Sequence, residues 1–231
     1  MKIDIISVQP KMFEGFLRES IVARAQRKGA CEIFIHDLRD FAHDKRRTVD
    51  DRPYGGGPGM LMKCEPWFEA VESCSRARTR IIMTSPAGKK FTQADARELA
   101  VAEHIIFMCG HYEGFDARIE TLATDKFSIG DFVMTGGELA AAAMTDSIVR
   151  LLPGVLGGGV AATSSESFTG NLLEAPQYTH PAEFRGMKVP QVLIDGDHRK
   201  AELWKLSEAR KLTKEVRPDL LESGYSCPRE S

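Results

Sequence analysis

Two apolar runs, residues 104–108 (HIIFM) and 127–134 (FSIGDFVM), each open into glycine: Gly110 after the first, Gly136 and Gly137 after the second. Short apolar runs bounded by turn residues read as buried strands. Strands whose ends open into glycine loops constrain a chain to a sheet with a ligand site at the strand ends. Between the runs lies Tyr112-Glu113-Gly114-Phe115-Asp116, two aromatics, two carboxylates and a glycine.

The start of the chain sets the sheet type. Residues 3–8 are a β-branched run and residues 31–35 a second strand. Between them Pro10 opens a predicted helix, with Phe13, Phe16, Leu17, Ile21, Val22 and Ala25 at helical spacing and Gly29 at its end. A β-α-β opening predicts a parallel sheet in an α/β fold. Further along, helices are expected over 65–75 (Pro66 in the first turn), 93–103 (capped by Thr92) and 138–152, with a strand over 80–84 stopping at Ser85-Pro86. Asp197 is the expected cap of a helix through Arg210, with Leu203, Trp204 and Leu206 on an apolar side. Its other side carries Arg199, Lys200, Lys205, Arg210, Lys211 and Lys214. That basic face is suited to phosphate contacts, although charge alone favours a solvated face.

Residues 39–60 (RDFAHDKRRTVDDRPYGGGPGM) lack apolar periodicity and read as a long loop concentrating basic, acidic and glycine residues. Loops of this length inside compact domains are mostly functional or disordered. Residues 157–165 (GGGVAATSS) read as a linker or mobile loop.

Several classes are excluded. The glycines at 55–59 lack a following Lys-Ser/Thr, so they form no P-loop; no GxGxxG follows a strand, and no GxSxG or Cys-His pattern supports a hydrolase. A net charge of −2 gives no global field for a polyanion, though a local basic patch suffices for nucleic acid. Five scattered cysteines without a CxxC pair read as reduced thiols of a cytoplasmic protein. The N-terminus lacks a signal peptide's apolar core, and no run is long enough to cross a bilayer. Taken alone, Glu113 and Asp116 fit an acid/base pair, binders of ribose hydroxyls or an amino group, or plain surface carboxylates. His111 reads as structural, and Arg150 and Glu166 flank the linker as surface charges.

Together the blocks RRTVDDRPYGGGPGM (46–60), TSPAGKKF (84–91), CGHYEGFDARI (109–119), SIGDFVMTGGEL (128–139), DSIVRLLPGVLG (146–157), ESF (166–168) and LLEAPQYTHP (172–181) closely resemble the bacterial tRNA (guanine-N1)-methyltransferases, the TrmD family of the SPOUT superfamily. The resemblance implies a SPOUT-type parallel sheet with helices on both faces and a deep trefoil knot, followed by a small helical domain. It divides the chain into a methyltransferase domain over 1–156, a flexible linker over 157–170 and a tRNA-binding domain over 171–231. It implies S-adenosylmethionine held by Met83, Thr84, Ser85, Pro86, Gly110, Tyr112, Glu113, Gly114, Ser128, Ile129, Gly130, Phe132, Met134, Gly136, Gly137 and Ala140. Glu113 is also the implied ligand of a magnesium ion.

The implied substrate is the guanosine at position 37 of tRNA, just 3′ of the anticodon and preceded by another guanosine. The implied partners are the anticodon stem-loop and a second copy of the chain, with active sites at the subunit interface. Arg46, Asp50, Arg52, Tyr54, Gly55, Gly57 and Lys200 are the implied tRNA contacts. Glu166 matches the family's general base and Arg150 the arginine that stabilises the guanine O6. The family base is usually an aspartate, so Glu166 keeps the carboxylate on a longer arm. The linker is also one residue longer than in some relatives, and Ala140 stands where many members carry proline. The competing readings are a SPOUT methyltransferase acting on ribosomal RNA or a ribose 2′-hydroxyl, and a non-catalytic RNA-binding dimer.

Overall fold

The computed structural model describes residues 1–157 and 166–222. The chain divides into two compact units, Met1–Gly157 and Gly158–Ser231. Most of the expected linker, residues 158–165, and the C-terminal residues 223–231 lie outside the described residues.

The first unit holds β1 (Lys2–Ser7), α1 (Glu14–Arg18), α2 (Ser20–Arg27), β2 (Glu32–Asp37), β3 (Asp50–Asp51), β4 (Leu61–Met62), α3 (Cys64–Cys74), β5 (Arg80–Lys90), α4 (Gln93–Leu99), β6 (His104–Met108), β7 (Asp125–Ser128) and α5 (Glu138–Val149). Five strands form one parallel sheet in the order β2-β1-β6-β5-β7. Period-two alternation sends Ile3, Ile5, Ile105 and Phe107 to one face, where they pack with Ala25 of α2 and Ala141, Met144 and Ile148 of α5. Ile6, Val8, Ile106 and Met108 go to the other face, against Trp67, Ala70 and Val71 of α3. The sheet is thus covered by helices on both faces, as parallel sheets require.

Several boundaries differ from the sequence reading. The helix expected over 10–29 is a 3₁₀ turn, Pro10–Phe13, then α1 and α2. Glu19 is extended (φ −119°, ψ 161°) and Ser20 has φ 53°. Phe13 is buried before the break and Val22 and Ala25 after it, so apolar spacing continues across a point where the helix does not. β5 runs past Ser85-Pro86 because pairing to β7 resumes at Lys89 after a register shift. Residues 85–88 lie in that gap, where the N–H that proline lacks is not needed by the ladder. Gly88 packs backbone against backbone there, since a Cβ would lie 2.6 Å from the Phe127 main chain. The strand expected over 127–134 ends at Ser128, whose hydroxyl donates to the Gly130 carbonyl (3.0 Å) and accepts from its N–H (3.2 Å). This local bonding competes with the ladder. Phe132 and Val133 beyond it are exposed. The long loop carries a 3₁₀ turn (Leu38–Phe41) and closes through the β3–β4 pair.

Capping follows the sequence closely. Thr92 and Asp95 form a reciprocal capping box on α4, which ends at Leu99 rather than 103. In the second unit, β8 (Glu183–Phe184) and β9 (Met187–Lys188) form a short hairpin before α6 (His198–Val216) and α7 (Asp219–Glu222). Asp197 caps α6, its carboxylate accepting from the Lys200 N–H at 3.1 Å. The helix runs six residues past the expected end, and its buried side carries Ala209 and Thr213, with Trp204 against Tyr178. Leu203 and Leu206 do not share that side: they are exposed and line a groove with Arg210, Lys211 and Lys214. Among the described residues, no helix is long and apolar enough to cross a membrane.

One polar cluster sits inside this sheet. Asp4 of β1, fully buried, accepts hydrogen bonds from His36 (2.7 Å), His104 (2.6 Å) and Lys2 (2.6 Å). Burial opposes its charge, but these three donors hold its carboxyl well below the usual carboxylate range. In return, the Asp4 hydrogen bond lifts His36 from 6.5 to about 9. His36 therefore keeps a proton in the folded chain that the unfolded chain loses above pH 6.5, so this stabilisation is complete below pH 6.5 and lost as pH rises through about 9. Urea unfolding midpoints taken across that window are expected to fall by the equivalent of on the order of 1–3 kcal/mol. The variant His36→Gln should flatten the decline; an unchanged slope would remove His36 as its source.

Candidate cofactor pocket

The 83–86 stretch of β5 and the loops beyond the carboxyl ends of β6 and β7 meet around a cavity of about 380 Å³, within the usual range for small-molecule sites. Its walls come from Met83–Pro86, from the 110–115 segment, from 127–137 and from Ala140 in the first turn of α5. All sixteen residues that the family resemblance assigned to the cofactor lie in this lining. His111, Phe115, Glu120, Phe127, Val133 and Thr135, which were not among those sixteen, line it too. His111 carried a signal, its place between a strand-end glycine and the Tyr-Glu-Gly turn, and so did Phe115 within the 112–116 stretch; the others carried none.

Close backbone approach makes the cavity. The Gly137 N–H donates to the Gly110 carbonyl at 2.7 Å. Beneath them the Thr84 hydroxyl donates to the Met108 carbonyl at 3.0 Å. A Cβ on Gly137 would overlap the Thr84 hydroxyl, and one on Gly110 would lie 2.7 Å from the Phe115 ring. Tyr112 (φ 57°) and Gly114 (φ 110°) turn their loop through left-handed backbone. That turn leaves the Tyr112 ring edge-on to His111 at 5.1 Å.

A buried carboxylate ties these walls to the sheet. Glu138, in the first turn of α5 and 2% exposed, accepts from the Ser7 hydroxyl at 2.7 Å. Its other oxygen lies 3.8 Å from His111 Nδ1. A carboxylate there also meets the positive end of the helix dipole.

Glu113 and Asp116 separate in role. Glu113 is exposed at the cavity and packs over Gly59, with its N–H bonded to the Met60 carbonyl at 3.0 Å. Asp116 does not line the cavity. It caps the 3₁₀ turn Ala117–Leu122 and binds the Arg118 side chain at 2.7 and 2.9 Å, which holds its carboxyl well below the usual range.

The glycine-rich loop is anchored beside the pocket. The Met62 N–H donates to the Gly114 carbonyl (2.9 Å), and the Asp116 N–H to the Met62 carbonyl (3.1 Å). Asp50 sits in β3, and Arg46, Arg52, Tyr54, Gly55 and Gly57 are exposed along the loop. Lys200 lies in the second unit, on α6, paired with Asp197 at 3.2 Å. Arg150 caps the far end of α5, ten residues from Ala140, roughly 15 Å along the axis, and is outside the cavity lining. Glu166 lies in the second unit, in a turn where its carbonyl accepts from the Thr169 N–H at 3.0 Å. Among the described residues, only Asp4, His36 and Cys74 converge with metal-ligand spacing, and Glu113 stands apart from them.

A sequence profile of the family described as "tRNA (Guanine-1)-methyltransferase TrmD" matches residues 1–223. A protein of Streptococcus pyogenes serotype M1 named tRNA (guanine-N(1)-)-methyltransferase is 54% identical over 222 residues, covering 96% of this chain and 90% of its own length. One of the same name from Anoxybacillus flavithermus is 53% identical over 227 residues, covering 96% and 92%.

The packing at Gly137 yields a direct test. Gly137→Ala forces a methyl into the Thr84 hydroxyl and is expected to cost about 1–3 kcal/mol. Adding Thr84→Ala to the same chain should restore part of the thermal stability. Equal melting temperatures for wild type and Gly137→Ala would show that the contact is not tight.

Proposed function

Since the chain belongs to the tRNA (guanine-1)-methyltransferase family and is thus a methyltransferase acting on RNA, we propose that it methylates N1 of the guanosine at position 37 of tRNA, 3′ of the anticodon. The observation that carries this reading is the gathering of the sixteen implied cofactor residues at one cavity. S-adenosylmethionine supplies the methyl group, carried on a sulfonium. The glycine-lined walls suit it because Gly110 and Gly137, lacking a Cβ, let main chain pack against Phe115 and Thr84 and line the cavity. Thr84, the 110–114 turn and the 128–137 segment hold and orient it, which is the larger part of catalysis when the donor is already activated.

The acceptor needs more help. N1 of guanine carries a proton and is a poor nucleophile until it is removed. Glu166 takes that proton. Negative charge then moves toward O6, where the Arg150 guanidinium meets it. Arg150 lies roughly 15 Å along α5 from the pocket end of the helix. This supports a dimer in which Arg150 serves a pocket completed by the second copy. Exposed Phe132, Val133 and Leu139 beside the pocket supply an apolar surface for that partner. No step is assigned to magnesium.

The tRNA is held from two places. The exposed loop carrying Arg46, Arg52 and Tyr54 rises beside the cavity, and Asp50 at its base positions it. The groove of α6 lined by Arg210, Lys211 and Lys214, with Lys200 on the same helix, grips the anticodon stem. The same reading takes residues 1–156 as the catalytic domain, 157–170 as a flexible linker and 171–231 as the tRNA-binding domain. It takes the 83–86 stretch of β5 and the loops after β6 and β7 as the crossings of a deep trefoil knot; the sheet order, with β5 between β6 and β7, supports it. A cytoplasmic setting suits the free thiols of Cys31, Cys64, Cys74 and Cys109.

Two measurements test the chemistry. Glu166→Ala should lower methyl transfer by about 10²–10⁴-fold while cofactor affinity stays; unchanged turnover would remove Glu166 as the base. Glu166→Asp should retain much of the activity. A tRNA transcript with GG at the anticodon's 3′ edge should be labelled, and one with the target guanosine replaced should not. Equal labelling of the two would reject the guanosine at position 37 as the target.

A further inference from the structure

Three different metal-binding side chains meet on the sheet face under α3, in a place the methyl-transfer reading does not use. Asp4 on β1 and His36 on β2 project to the face that carries Ile6 and Val8. Cys74, the last residue of α3, closes over them. His36 Nε2 lies 2.7 Å from Asp4 Oδ1 and 3.7 Å from Cys74 Sγ, and the three ligand atoms lie within 4.8 Å of one another. None of the three lines the cofactor cavity.

We propose that Asp4, His36 and Cys74 form a site for a thiophilic divalent cation of the zinc class. A tetrahedral zinc ion, with bonds of about 2.0–2.3 Å, sets its nitrogen and sulfur ligands about 3.5 Å apart and its nitrogen and oxygen ligands about 3.3 Å apart. The first spacing is already present. The second needs Asp4 Oδ1 and His36 Nε2 to part by about 0.6 Å, as the ion replaces the proton they share. Binding also releases the thiol proton of Cys74, so a carboxylate and a thiolate together balance the ion's two charges. Imidazole and thiolate select zinc or cobalt over magnesium or calcium, which prefer all-oxygen sites.

The surroundings favour a preset ligand set. Asp4 Oδ2 is engaged by His104 Nε2 and Lys2 Nζ, both at 2.6 Å, which leaves Oδ1 turned toward His36. His104 is itself fixed, its Nδ1 lying 2.7 Å from the Thr79 hydroxyl. Such outer contacts orient a ligating carboxylate. The His36 side chain is 26% exposed, so an ion can enter from solvent and keep a water as its fourth ligand.

Cobalt(II) titration of the chelator-treated full chain tests this. The expected result is saturation at one ion per chain, with the intense visible bands of tetrahedral cobalt, a sulfur-to-cobalt charge-transfer band in the near ultraviolet, and reversal by zinc. Cys74→Ser should abolish the charge-transfer band, and His36→Gln should weaken binding by about tenfold or more. Cys64→Ser and Cys227→Ser should keep both. Circular dichroism checks that each variant folds. If Cys74→Ser does not fold, zinc should instead protect Cys74, and not Cys64, from alkylation in the wild-type chain. A weak octahedral cobalt spectrum, a charge-transfer band that survives Cys74→Ser, or alkylation of Cys74 unaffected by zinc would each overturn the site.

Discussion

The contact on which the pocket depends is the approach of Gly137 to Gly110 over the Thr84 hydroxyl. It brings Thr84 of β5 and the segments after β6 and β7 to within hydrogen-bond distance at one point. Any side chain at 137 would push the start of α5 off Thr84. The absence of a Cβ at this junction is what lets main chain form the cavity walls. Glu138, next in sequence, then fixes the junction to β1 through Ser7.

The rest of the first unit is arranged to hold that junction still. One face of the sheet supplies a continuous apolar core under α2 and α5. The other is apolar toward the pocket end, where Trp67 of α3 meets the Phe115 ring at 5.2 Å, and polar toward its far end, where Asp4 gathers His36, His104 and Lys2. The glycine-rich loop is held at its base by main-chain bonds to the 113–116 turn, so the surface assigned to RNA and the pocket assigned to the methyl donor share a wall.

Much of this was legible in the residues. Alternation and β-branched runs identified β1, β2 and β6, and the side chains of Thr92 and Asp197 marked helix starts that the structure keeps. The misplaced boundaries share a cause. Apolar spacing reports burial, and burial continues through the break at Glu19 and Ser20 and into the irregular segment after Ser128. Pro86 suggested an end to β5 because a proline lacks its ladder donor, yet a register shift removes the need for that donor. On α6, Leu203 and Leu206 matched an apolar side by spacing, but the helix buries the side carrying Ala209 and Thr213.

The sequence by itself determined the α/β class and, through motif blocks in a fixed order, the family and sixteen residues of the pocket lining, because each rests on local pattern. Only the tertiary structure decided which distant groups meet. Asp4, His36, Cys74 and His104 share no motif and no spacing; strand register and the seat of α3 bring them together. Likewise Glu113 and Asp116, three residues apart, part company because one faces a cavity and the other an arginine. Local periodicity carries no information about such pairings, since they are set by which strands become neighbours and how far each is shifted along the next.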